Sequence, residues 1–255
     1  METTNANVER YKENLVQRFS LEDRVALVTG GSSGIGRRMA YALASVGANV
    51  VLVARRRNLL EDAAQEIESK TGAAVHPIVA DLLGSISFED LAVSAANPFG
   101  PPDILVNAAG VNFREPWNEI KRENWDATIE INLSVPFFMA RALVPGMYER
   151  GQGNIINIAS LQTYRAFPDS AAYGASKGGL GQLTRAMAQA WSNGGIIVAN
   201  AVAPGYFPTE LTAPVFRNEE LCSHHARMTA IGRNGELSDL DGATIFLASR
   251  AASYI

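Results

Sequence analysis

Short runs of β-branched and aliphatic residues alternate along this chain with longer segments of helical periodicity. The runs are Arg24–Thr29 (RVALVT), Asn49–Ala54 (NVVLVA), Ala73–Ala80 (AAVHPIVA), the start of Asp103–Gly110 (DILVNAAG), Gly153–Ser160 (GNIINIAS) and Ile196–Pro204 (IIVANAVAP). They are apolar throughout rather than alternating, the pattern of strands buried on both faces. Between them, residues 35–46, 58–70, 85–95, 122–149 and 173–192 read as helices. Buried strands separated by helices predict an α/β fold with a doubly wound parallel sheet, the Rossmann arrangement. No repeat, low-complexity stretch or linker interrupts it, so residues 21–255 read as one dinucleotide-binding and catalytic domain. Residues 1–20 form an N-terminal extension. There Val8, Tyr11, Leu15 and Phe19 recur at three- and four-residue steps, which predicts a short amphipathic helix.

Composition narrows the function. The chain has 255 residues, 47% of them hydrophobic, and a formal net charge of −4. That balance offers no basic surface for nucleic acid. The single cysteine, Cys222, excludes an internal disulfide. His76, His224 and His225 have no metal-ligand spacing, so no metal is expected. No unbroken apolar run reaches the ~18 residues of a membrane span, and the first twenty residues lack the apolar core of a signal peptide. The expectation is a cytoplasmic protein that meets neither membrane nor nucleic acid.

The chemistry begins at TGGSSGIG, residues 29–36, placed between the first strand and the first helix. Gly30 permits the tight turn, while Gly34 and Gly36 allow close approach of backbone to phosphate and of helix to strand. The helix N-terminus then faces a pyrophosphate. An acid that reads the ribose of NAD belongs at the end of the second strand. Ala54 stands there instead, followed by Arg55, Arg56 and Arg57. An arginine fork suits a 2′-phosphate, which favours NADP over NAD. Further along, AAYGASKGGL at 171–180 sets Tyr173 and Lys177 on one helix face, one turn apart. A nearby ammonium favours the phenolate, giving a proton donor and acceptor usable near neutral pH, although these residues taken alone read more simply as an ordinary exposed helix with a Tyr–Lys pair.

These features resemble the short-chain dehydrogenase/reductase family. The resemblance covers residues 24–250 and rests on TGxxxGIG at 29–36, NAAG at 107–110, Asn132 in INLSVPF, Ser160 in INIAS, YxxxK at 173–177 and PGYFPT at 204–209, in the family's order. It implies that Tyr173 is the general acid/base, that Lys177 lowers its pKa and binds the nicotinamide ribose, that Ser160 hydrogen-bonds the substrate oxygen, and that Asn132 helps hold a water linking Lys177 to solvent. It implies a cofactor site built from Gly30, Ser32, Ser33, Gly34, Ile35, Gly36, Arg55, Arg56, Asp81, Leu82, Asn107, Ala108, Gly110, Pro204, Gly205 and Thr209, with Tyr173 and Lys177. The activity implied is hydride transfer between NADP(H) and a secondary alcohol or ketone. A non-catalytic dinucleotide-binding regulator and a gluconate-type sugar-acid dehydrogenase are the alternatives.

Two departures from the family pattern stand out. GIIVANAVAPG at 195–205 is one residue longer than usual, which a β-bulge would absorb. The chain also stops at LASRAASYI, before the family's usual last edge strand, so six strands are expected. Asn112, Phe113, Arg114, Gln162, Thr163, Tyr164, Phe167, Tyr206 and Phe207 are candidate substrate contacts, and residues 208–230 a mobile lid. For Arg114 an ordinary surface ion pair is the reading preferred over contact with an anionic or polyol substrate. The helices at 122–149 and 173–192 carry apolar stripes (Ile129, Leu133, Phe137, Phe138 and Leu143; Leu180, Leu183, Met187 and Trp191). The family pairs such helices across a two-fold axis, implying a homodimer or homotetramer.

Overall fold

The computed structural model describes residues 11–255. Its strands are β1 (Val25–Thr29), β2 (Asn49–Ala54), β3 (Val75–Val79), β4 (Ile104–Asn107), β5 (Gly153–Ile158) and β6 (Ile197–Val202). They form one six-stranded sheet in the order β3-β2-β1-β4-β5-β6, with every pair parallel. The apolar runs therefore became the strands they predict: β2 keeps its expected bounds, and the other five are trimmed by a residue or more. Pro77 lies in β3, an edge strand, where its missing N–H costs no ladder bond to a second neighbour. β6 forms the opposite edge. It pairs with β5 residue for residue from Gly153↔Ile197 to Ile158↔Val202, so the expected bulge is absent from this span. A 3₁₀ turn at Asn193–Gly195 precedes the strand, with Gly194 and Gly195 both at positive φ.

Side chains alternate between the two faces of the sheet, and each face has its own core. Ala26, Val28, Val50, Leu52, Ile104, Val106 and Ile156 pack under Met39 and Leu43 of α2 (Gly34–Ala44), Leu60 and Ile67 of α3 (Arg57–Thr71), and Ala248 of α10 (Asp241–Ala248). Val25, Leu27, Val51, Leu105, Ile155 and Ile197 meet α4 (Phe88–Ala96), α6 (Val135–Glu149) and α7 (Ala171–Trp191) on the other face. Both faces are covered, as a parallel sheet requires. Helix α4 begins where Ser87 accepts a hydrogen bond from the Asp90 N–H, at 3.0 Å.

The stretch expected as one helix over 122–149 is continuous from Arg122 to Glu149 but changes type within: α5 (Arg122–Ile129), a π-helical turn (Glu130–Ser134) and α6. Its chemical signal is Pro136, which has no N–H to return to the carbonyl of Asn132 four residues earlier. The Val135 N–H reaches back to Glu130 instead, five residues away. Arg122–Glu149 is long and apolar enough to cross a membrane by mean hydropathy, although charged residues interrupt it and no unbroken apolar run in it reaches spanning length. Half of its most apolar window is buried within the protein, with Met139, Leu143 and Met147 in the core. At the N-terminus, residues 11–17 are helical (α1), but Tyr11, Leu15 and Val16 face outward and are well exposed. Val8 lies outside the described residues.

Candidate active site

All six strands run the same way, so their carboxyl ends share one edge of the sheet. The strand order reverses direction between β1 and β4, and such a switch point opens a crevice. The Thr29 hydroxyl ties the two strand ends together. Its oxygen accepts from the Ala108 and Ala109 N–H groups, at 3.1 and 3.2 Å. A cavity of about 550 Å³ lies over this edge. Every sequence-derived site residue lines it except Asn107 and Asn132.

The glycine turn forms its floor. Gly30 has φ +68°, and a Cβ there would sit 2.8 Å from the Ala109 nitrogen; one on Gly36 would sit 2.5 Å from the Gly30 carbonyl oxygen. Only glycine permits this fold of β1 onto α2. Ser33 caps α2 without a side-chain hydrogen bond, and the first turn of the helix holds no acid. Its N–H groups are therefore free to take an anion. Arg55 lines the same cavity and forms no ion pair among the described residues. Arg56 also lines it, but pairs with Glu210 at 3.0 Å and donates to the Ser33 hydroxyl at 3.2 Å. A glycine cradle, an open helix N-terminus and an unpaired guanidinium fit a dinucleotide that carries a 2′-phosphate. Asp81 lines the wall next to them and accepts from the Leu83 N–H.

Asn107 turns away from the cavity. Its Nδ2 donates to Asn157 Oδ1 at 2.8 Å and to the Pro136 carbonyl at 3.3 Å, so its side chain braces the ends of β4 and β5 against α6 rather than facing a cofactor. Asn132 is fully buried in the π-helical turn. Its amide exchanges two hydrogen bonds with the Val111 backbone and donates to Ser176 Oγ at 3.1 Å. The side chain thus pins the loop after β4 to α7. A Cβ on Gly110 would stand 3.0 Å from Asn132 Oδ1, so any larger residue would press on the asparagine that holds this loop.

Ser160, Tyr173 and Lys177 converge on the cavity from β5 and α7. Ser160 caps the 3₁₀ turn Leu161–Thr163 in a reciprocal capping box. The Thr163 hydroxyl closes that box and also donates to the Lys177 carbonyl oxygen at 3.0 Å. One threonine therefore holds the serine turn against the tyrosine helix. Thr163 and the well-exposed Tyr164 are the two proposed substrate contacts that do not line the cavity.

The electrostatics differ from the sequence expectation. Burial pushes the Tyr173 phenol above its ordinary pKa; the Ser160 side chain and the Arg114 charge act against that rise. Lys177 is almost completely buried, and desolvation lowers its pKa to about 8. Its Nζ donates to the Ile158 carbonyl at 2.6 Å and lies 5.7 Å from the Tyr173 ring centre. Arg114 adds a second cation whose charge acts on the phenol. Arg114 forms no ion pair among the described residues, so the surface pairing expected from sequence is replaced by a free guanidinium in the cavity wall.

Sequence reasoning missed three features. One is the π-helical turn, whose signal is Pro136. Another is the Thr163 brace. The third is His225 on α9 (Glu219–Arg227), whose ring stacks on Tyr206 at 3.7 Å between centres; no local pattern announces that contact.

The short chain dehydrogenase family profile matches residues 24–220. Gluconate 5-dehydrogenase of Gluconobacter oxydans (strain 621H) is 39% identical over 237 residues, covering 93% of this chain and 92% of that protein. Galactitol 2-dehydrogenase (L-tagatose-forming) of Cereibacter sphaeroides is 40% identical over 240 residues, with coverage of 93% and 92%. Among solved structures, a gluconate 5-dehydrogenase from Burkholderia cenocepacia J2315 in complex with NADP and tartrate superposes with a TM-score of 0.88 at 35% identity, covering 94% of each chain. The glycine turn, the serine–tyrosine–lysine convergence and these matches along almost the whole chain lead to one assignment: the protein belongs to the short-chain dehydrogenase family of oxidoreductases.

Proposed function

We propose that this protein is an NADP(H)-dependent oxidoreductase that interconverts a secondary hydroxyl and a ketone on a sugar acid. The observation that carries the substrate class is Arg114, an unpaired cation in the cavity wall whose charge reaches the catalytic phenol. A carboxylate is its natural partner. The relatives named for gluconate support the same class. The bound nicotinamide supplies or accepts the hydride.

The chain's own residues do the rest. Ser160 donates to the substrate oxygen, where charge develops during reduction. Tyr173 is held protonated by burial, which suits a general acid in that direction. Lys177 orients the ribose and bonds Ile158 at the end of β5. Asn132, through Val111 and Ser176, sets the distance between the cofactor loop and α7. Arg55 meets the 2′-phosphate, with Arg56 joining it when released from Glu210. The groove from Ser32 to Gly36, with Leu82, Ala108, Pro204, Gly205 and Thr209, holds the remainder of the dinucleotide.

The functional unit is a homodimer or larger, in the cytoplasm where NADP(H) turns over. Leu143, Leu180 and Met187 are buried within one subunit, but Phe137, Phe138, Leu183 and Trp191 are only half-buried. Phe137 stacks on Trp191 at 6.0 Å between ring centres, so α6 and α7 share one aromatic patch available to a second copy. The decisive experiment is turnover of D-gluconate and related sugar acids with NADP⁺, followed by nicotinamide absorbance. Oxidation of a sugar acid in preference to its neutral polyol supports the reading; turnover of simple ketones alone overturns the substrate class.

A further inference from the structure

The sugar-acid reading leaves open how a flexible, polyhydroxylated anion is held, and the cavity wall offers two kinds of group for it. Asn112 Oδ1 and Gln162 Oε1 are buried there without a hydrogen-bond partner. Buried amide groups are seldom left unmatched. A substrate hydroxyl both donates and accepts, so it satisfies either orientation of each amide.

The second kind of group is positive charge beside that wall, drawn from the segments after β4 and β5 and from α9: Arg114 lines the cavity, and Arg165 and His225 touch residues that do. Arg114 follows β4. Arg165 follows β5, with its guanidinium 5.2 Å from the centre of the Phe167 ring in the cavity wall. His225 comes from α9 and lies on Tyr206, another wall residue, with His224 edge-on to it at 5.4 Å. Neither arginine forms an ion pair among the described residues. His225 touches the Tyr206 ring and His224 on its own helix, and the charges of Arg114 and Arg165 act on it.

We propose that His225 is a substrate-binding residue: the α9 segment stacks its imidazole on Tyr206 of the cavity wall, from where with Arg114 and Arg165 it receives the carboxylate of a sugar acid whose hydroxyls bond Asn112 and Gln162. This rests on the sugar-acid reading. Its consequence is proton uptake. In the free protein, burial and then the charges of His224, Arg114 and Arg165 hold the His225 pKa below its ordinary value. A carboxylate arriving among these cations reverses that balance and protonates the ring. Sugar-acid affinity therefore weakens as pH rises past neutrality, while affinity for a neutral polyol does not share that dependence.

The test is calorimetric titration of the NADPH-saturated protein, in which a hydroxy acid cannot be oxidised, with D-gluconate and, separately, with D-sorbitol, at pH 6 and pH 8. Gluconate is expected to bind on the order of fivefold more tightly at the lower pH, with protons taken up from buffer. His225→Phe keeps a ring on Tyr206 but cannot titrate, and His225→Gln keeps a polar group without the ring. Both should abolish the uptake and flatten the gluconate pH dependence. Persistence of the dependence in both variants, or its absence in the parent protein, overturns the proposal; failure of gluconate to bind at either pH does so too. Turnover is scored separately. A protein that oxidises gluconate with no His225-linked uptake retains the function and loses this inference, whereas uptake without turnover does the reverse.

Discussion

Lys177 carries a stability cost that its removal should expose. The ammonium is almost fully buried, and its pKa falls from 10.5 to about 8 because of desolvation. At about 1.4 kcal/mol per pKa unit, holding it charged costs the fold about 3 kcal/mol at pH 7. Lys177→Met keeps the length of the side chain and removes the charge. It also removes the bond to the Ile158 carbonyl, worth about 1 kcal/mol. The cofactor-free variant should therefore be about 2 kcal/mol more stable than the parent at pH 7, while being inactive. The sign follows from linkage. The folded pKa lies below the unfolded one, so the unfolded chain binds the extra proton between these values and parent stability rises with pH there. The penalty is complete below pH 8, fades between about pH 8 and 10.5, and is gone above. The advantage of the variant should shrink across that window and then reverse, leaving only the lost hydrogen bond. Urea unfolding of both proteins from pH 7 to pH 11 measures this directly. A variant less stable at pH 7, or a difference that does not change with pH, would refute the reasoning.

Three further outcomes are expected. Tyr173→Phe should bind NADPH with an unchanged dissociation constant yet lose turnover by on the order of 10²-fold or more, because only the proton donor is removed; near-normal turnover would move that role to another group. Arg55→Ala should abolish most of the preference for NADPH over NADH in a direct binding assay, since Arg56 is engaged by Glu210; equal affinities in the unmutated protein would remove the basis for the claim. Sedimentation equilibrium at micromolar concentration should show a dimer or larger, and a stable monomer would leave the aromatic patch of α6 and α7 as ordinary surface.

Much of this molecule is legible in its sequence, for physical reasons that also mark where legibility ends. β1 and β2 can be read because both their faces are buried, which demands unbroken apolar runs. The glycine turn can be read because Gly30 and Gly36 leave no room for a Cβ. Tyr173 and Lys177 can be paired because helix geometry fixes their separation. Their proton affinities cannot be read this way. The spacing suggests an ammonium that lowers the phenol's pKa, but burial is a property of the assembled site, and it raises the phenol and lowers the lysine. Arg114 likewise reads as a surface charge until the loops after β4, β5 and β6 are brought together. Asn107 sits at the right strand end, yet the side chain of Asn157 on the neighbouring strand claims its amide.

The π-helical turn at Glu130–Ser134 acts as a phase shifter. One surplus residue rotates everything after it by about 100° relative to an uninterrupted α-helix. The turn lets a single continuous rod serve two directions at once: Asn132 looks toward Val111 and Ser176, while Met139, Leu143 and Met147 look toward the sheet. A deletion of one residue here would heal the helix and leave its length almost unchanged, yet it would force a choice between those two directions. This segment should tolerate substitutions that preserve side-chain volume far better than a change in chain length, even though its outer surface touches no ligand.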